Sequence, residues 1–171
     1  MAYNIHPMVV HFPVALLLFY SIIKILPWSK WFPNVSWKHI ERALLLAGVL
    51  GAFVSLSTGE VAEHLTNPNE KLVEMHAFFA GLSTWLYGAL LAGEFLTLVS
   101  PWLIAKQFLV PLMGLISWIQ KILTHITLSK FIAFFGLIAI SITGLLGGVM
   151  VYGTTADPLA NVVLKILGIN L

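Results

Sequence analysis

Four apolar runs, each close to the length that crosses a lipid bilayer, dominate this chain. The first extends from Met8 to Leu26, and the others from about Ala43 to Ser57, Ala77 to Val99 and Phe131 to Tyr152. A hydrocarbon layer of ~30 Å requires roughly 20 residues of helix. Composition agrees: with 59% hydrophobic and 9% charged residues, the chain has too little polar surface to cover a water-soluble domain. The expected fold is all-α, an integral membrane four-helix bundle.

The leader before Met8 carries no Lys or Arg, and no small-residue cleavage site follows the first run, so it reads as a span and not as a removable signal peptide. The second run extends in helical pattern from a Ser36 cap through Glu60 to His64. The stretch Asn67-Pro68-Asn69-Glu70 reads as an N-cap, a proline at the first helical position and an acid at the third, which starts the third span at Pro68. Spans are therefore expected at about 8–26, 43–64, 68–99 and 130–152. Between the last two, Lys106, Gly114, Ser117, Lys121 and Thr124 recur near helical spacing and predict an amphipathic surface helix at about 102–125. The competing reading, a fifth span, would reverse the side on which the last span ends. Asp157-Pro158 reads as cap and first helical proline of a C-terminal amphipathic helix at about 158–167, with Leu159, Val162, Val163, Ile166 and Leu167 on one apolar face and Gly168 as its stop. The pattern offers no internal repeat, and residues 1–171 read as a single membrane domain.

A net charge of +2 is too small and too scattered for a nucleic-acid surface. The absence of Cys excludes disulfides, thiolate metal sites, iron–sulfur clusters and covalently attached haem. No Ser or Thr sits in a recognisable nucleophile elbow, and the paired interrupted helices of a transporter are missing. Lys24, Lys30, Lys38, Arg42, Lys106, Lys121 and Lys130, seven of the nine basic residues, flank the first and third connections. The positive-inside rule makes that side cytoplasmic and both termini extracytoplasmic.

This topology collects reactive side chains at the outer face: His6 and His11 on the first span, Glu60, Glu63 and His64 on the second, His76 on the third and Tyr152 on the fourth. His76 lies on the order of 12 Å along a helix begun at Pro68, deeper than His64. His11 lies about one turn inside, beside Pro13, near the expected level of Gly147 and Gly148. An ionisable group within a span is costly and marks a ligand, proton or electron path. His39 and His125 read as interfacial imidazoles, Glu60 with His64 as a solvated helix end, and Glu94, Tyr152 and the Trp residues as interfacial anchors. Small residues recur on the second, third and fourth spans (Ala47, Gly51, Ser55 and Gly59; Ala77, Gly81, Thr84 and Gly88; Gly144 and Gly148). They serve tight helix packing, or leave a slot beside buried histidines wide enough for a flat macrocycle.

The opening His6-Pro7-Met8-Val9-Val10-His11-Phe12-Pro13, the Ser57-Thr58-Gly59-Glu60 segment, His76, and Gly147-Gly148-Val149-Met150-Val151-Tyr152-Gly153 together resemble an uncharacterised family of bacterial four-helix membrane proteins that open with H-P-x-x-V-H-F-P. That family is similar to membrane b-type cytochromes, an analogy of fold. The resemblance implies an inner-membrane location and, by that analogy, one noncovalent haem b, with a second conceivable; depth and their different helices make His11 and His76 its expected ligands, with His6, His64, Gly147, Gly148 and Tyr152 around it. Electrons would pass to or from a quinol or a periplasmic carrier, alone or within a larger membrane complex. The chain then reads as an electron-transfer protein or subunit rather than a stand-alone enzyme. The alternative is a structural or accessory membrane subunit without redox function, or a metal-binding protein using His6, His11, Glu60, His64 and His76.

Overall fold

The computed structural model describes residues 3–66, 69–104, 110–155 and 157–171. The described residues form α1 (His6–Ile25), α2 (Trp28–Trp31), α3 (Trp37–Thr66), α4 (Glu70–Ile104), α5 (Val110–Leu123), α6 (Ile126–Tyr152) and α7 (Ala160–Ile166), with a 3-10 turn at Gly153–Thr155. Helices α1, α3, α4 and α6 are long and apolar enough to cross a membrane, and the protein is a multi-pass membrane helical bundle. Around the bundle the order is α1, α3, α4, α6, with α6 closing on α1. The helix pair α1 and α4 thus faces across one diagonal and the pair α3 and α6 across the other.

Local signals explain the helix ends, with departures from the expected bounds: α4 runs on to Ile104, so among the described residues the expected surface helix at 102–125 is confined to α5, Val110–Leu123. The third span starts after Asn69, not at Pro68: Asn69 Oδ1 accepts the Leu72 N–H at 3.1 Å and its carbonyl accepts that of Val73, which is N-cap geometry. The expected cap and proline, Asn67 and Pro68, lie outside the described residues, as does Lys106. Asp157 closes a turn by accepting the Leu159 N–H at 2.7 Å, and α7 begins two residues beyond Pro158. The connection after α4 is not a fifth span. With 14 residues α5 reaches only about 21 Å, and it folds back antiparallel along α4, Leu123 at Gly93 and Gln120 at Thr97. Its predicted polar face, Gly114, Ser117, Lys121 and Thr124, is exposed. At the C-terminus Gly168 (φ 64) ends α7 as expected. Ile169 N–H bonds Leu164 O and Gly168 N–H bonds Lys165 O, a Schellman motif, and Lys71 Nζ donates to Gly168 O at 2.6 Å. Ala160, Leu164 and Ile169 bury themselves against Leu72, Leu146 and Val149. Of the face predicted from Leu159, Val162, Val163, Ile166 and Leu167, Leu159, Val162 and Ile166 point outward, while Val163 and Leu167 are partly buried and Leu167 packs against the cluster.

Packing reveals a two-fold correspondence that residue identities conceal. A Cβ at Gly59 would stand 3.4 Å from the His6 ring, and one at Gly147 would stand 3.3 Å from the His76 ring. Eleven residues away on each helix the pattern returns: Gly48 receives Leu17 and Gly136 receives Tyr87. The hairpins α1/α3 and α4/α6 therefore pack alike, each large side chain of the first helix seated on a glycine of the second.

Two levels of the bundle carry polar side chains at the helix interfaces. At one end stand His6, Gly59, His76 and Gly147. Eighteen residues along each of the four helices stand Lys24, Glu41, Glu94 and Ser129, about 27 Å away and close to the thickness of a hydrocarbon layer. In this second layer Lys24 pairs with Glu41 at 3.0 Å, Glu94 takes both Lys38 and Arg42, and Lys130 donates to Ile25 O at 3.0 Å. Glu94 is thus a buried ion-pair centre and not the interfacial anchor expected of it.

Gly136 is the tightest of these seats for a rigid neighbour, because an added Cβ would lie 2.9 Å from Tyr87 Cζ and the Tyr87 hydroxyl is tied to Ser21. Gly136→Ala is expected to destabilise the bundle by about 1–3 kcal/mol, several degrees in melting temperature. Gly88→Ala, where nothing lies within 4 Å, should leave it unchanged or raised. Thermal unfolding in detergent compares the two.

Candidate functional site

The buried face of α1 carries Pro13, Leu17, Tyr20 and Ser21, and that of α4 carries Ser83, Thr84, Tyr87, Leu90 and Glu94. Extended at helical spacing toward the start of α1 and of α4, these stripes reach His6 and His76. The two rings meet across the α1–α4 diagonal with centroids 6.3 Å apart and planes at 81°.

Each ring is held through Nδ1, with the Ser55 backbone as a further partner of the His6 ring, and these partners assign the tautomer. His76 Nδ1 lies 3.0 Å from the Thr143 carbonyl oxygen, which can only accept, so Nδ1–H donates. His6 Nδ1 lies 3.0 Å from Thr58 Oγ1. The Thr58 hydroxyl spends its single hydrogen on Ser55 O at 3.0 Å, so it accepts from His6 Nδ1–H. In a neutral imidazole the other nitrogen then carries the lone pair. Both rings thus keep Nε2 as a free base, each oriented by a partner at Nδ1 as metal-ligating histidines are. Gly59 and Gly147 supply the room.

The residues expected at the site divide clearly. His6 and His76 come together. His11 is exposed, its Nδ1 on the Pro7 carbonyl of its own helix. Five residues after His6, it lies about 140° around the helix, so the two cannot both face the bundle. Gly147 seats His76 and not His11; Gly148 is half-buried beside it. His64, Glu60 and Glu63 are exposed near the end of α3, and Tyr152 ends α6, 75% exposed. His39 bonds Ser36 Oγ, and His125 stands at the N-cap of α6, both at the opposite end of the bundle. Among the described residues no group of three or more His, Asp or Glu side chains is placed to hold a metal ion.

Sequence reading places Gly59 in a small-residue stripe that leaves room beside buried histidines, but it offers no sign of Thr58 and the Thr143 carbonyl as supports of the rings. It also missed a buried polar knot deeper in the bundle. There Ser21 Oγ donates to Ala133 O at 3.1 Å and accepts the Tyr87 hydroxyl at 2.7 Å, while the Tyr20 and Tyr87 rings meet edge to face at 6.0 Å.

Comparison of the chain with protein-family models, curated proteins and solved structures finds no match.

The pairing can be tested without cofactor. The chain has no Cys, so His6→Cys/His76→Cys is expected to cross-link within one chain with a short bifunctional thiol reagent. His11→Cys/His76→Cys should not, and peptide mass spectrometry distinguishes them.

Proposed function

We propose that the protein binds one haem b in the membrane through His6 and His76 and carries electrons at the face where they lie. The observation that supports this most is the meeting of two imidazoles from different helices, centroids 6.3 Å apart, each hydrogen-bonded at Nδ1.

The donor set fits the group. Two imidazoles on opposite sides of one metal ion have ring centres about 6 Å apart, from two metal–nitrogen bonds of ~2 Å and about 1 Å from each nitrogen to its ring centre. The observed separation is 6.3 Å. Two neutral donors leave a bare divalent ion short of ligands and of compensating charge in a low-dielectric layer. A porphyrin brings four nitrogens and two negative charges of its own, so two histidines complete the coordination.

Haem b, when bound, supplies a one-electron iron couple. The residues of this chain do the rest. His6 and His76 offer lone pairs from two helices, Thr58 and the Thr143 carbonyl hold the rings in place and raise their basicity, and Gly59 and Gly147 keep the helices close without displacing them. The site stands at one boundary of the apolar layer, which suits exchange with a quinol or an extracytoplasmic carrier. The basic excess near the other layer makes that other side cytoplasmic by the positive-inside rule. The resemblance to the bacterial H-P-x-x-V-H-F-P proteins, whose opening motif contains His6, points the same way and to the inner membrane.

A reduced-minus-oxidised absorption spectrum of protein made with ample haem supply tests the reading. The wild-type chain is expected to carry a low-spin b-type spectrum. His6→Ala or His76→Ala should abolish it or convert it to high spin, and Thr58→Val should weaken haem retention about 10- to 100-fold. His11→Ala and His64→Ala should leave the spectrum intact. A colourless wild-type protein, or a spectrum that survives both ligand changes, overturns the assignment.

A further inference from the structure

We infer that the groove between α5 and the start of α6 is a binding site for an anionic phospholipid, its phosphate held by Lys121 and His125. The groove is a cavity of about 350 Å³ lined by Trp118, Lys121, Ile122, His125 and Leu128. It exists because α5 is committed elsewhere: an added Cβ at Gly93 would lie 2.8 Å from Leu123 Cβ, and Gln120 reaches Thr97. Those contacts clamp one face of α5 to α4 and leave Trp118 and Lys121 exposed beside α6.

Depth identifies the ligand. Gly93 adjoins Glu94, and Leu128 adjoins Ser129, both members of the polar layer about 27 Å from the histidine layer. The groove therefore opens where hydrocarbon gives way to headgroups. Its chemistry changes in the same direction: Leu128 and Ile122 offer apolar surface, Trp118 is the aromatic type that settles at this depth, and Lys121 and His125 add a cation and a ring N–H donor. Among the described residues Lys121 has no ion-pair partner, whereas Lys24, Lys38 and Arg42 are each engaged with a carboxylate. His125 makes no side-chain cap to α6, so its ring remains available. A free phosphate would use only the polar part of such a lining. A phospholipid with a net negative headgroup uses both parts.

The test uses the full chain, delipidated in a neutral detergent, with native mass spectrometry reading bound lipid and thermal unfolding reading its effect. Phosphatidylglycerol is expected to remain bound and to raise the melting temperature, and neither phosphatidylcholine nor inorganic phosphate should displace it. Lys121→Gln should lower its affinity about fivefold, and Lys121→Gln/His125→Gln about tenfold or more. Both residues are exposed and outside the helix contacts, so both variants should fold as wild type by circular dichroism. Lys30→Gln, which removes an exposed charge on α2, should bind as wild type. Equal retention of phosphatidylcholine, displacement by phosphate alone, or unchanged affinity in the double variant would each overturn the proposal.

Discussion

An imidazole between helices at the edge of a bilayer imposes two requirements at once: its N–H must find an oxygen, and its ring must find space. Here both are met by the neighbouring helix. His6 finds Thr58 and Gly59 on α3, and His76 finds the Thr143 carbonyl and Gly147 on α6. A side chain at either glycine would compete with the ring for its place, so orientation and packing are decided by the same few residues. The consequence is chemical, because using Nδ1 as the donor leaves both Nε2 lone pairs free.

The rest of the bundle repeats this solution and spaces it. Leu17 on Gly48 and Tyr87 on Gly136 set the approach of the helices farther in, eleven residues from each histidine pairing. The knot of Ser21, Tyr20 and Tyr87 pairs the polar atoms of the interior. The ionic layer of Lys24, Glu41, Lys38, Arg42 and Glu94 ends the apolar region on the other side. Removing Arg42 or Lys38 would leave Glu94 with less compensation in a half-dry environment, which costs more than the loss of a surface pair.

Much of this was legible in the chain. Four span-length apolar runs gave the helical bundle, and the amphipathic patterns gave α5 and the Gly168 stop of α7. The helical phase of α1 is legible too: Pro13, Leu17, Tyr20 and Lys24 share a face with His6, whereas His11 falls about 140° away. The Thr143 contact was not legible, since a backbone carbonyl has no side-chain signature. Nor was the two-fold correspondence, because Leu17 and Tyr87 fill equivalent places with unlike residues, and only their glycine seats match. The cap of α4 is Asn69, and Asn67 has the same capping chemistry, so residue type does not separate the two.

Electron paramagnetic resonance of the oxidised, purified wild-type protein reads the ligation most directly. One low-spin ferric centre per chain, coordinated by two imidazoles, is expected. A protein that carries no haem iron, or one whose iron is high-spin with a single histidine, would contradict His6 and His76 as a ligand pair.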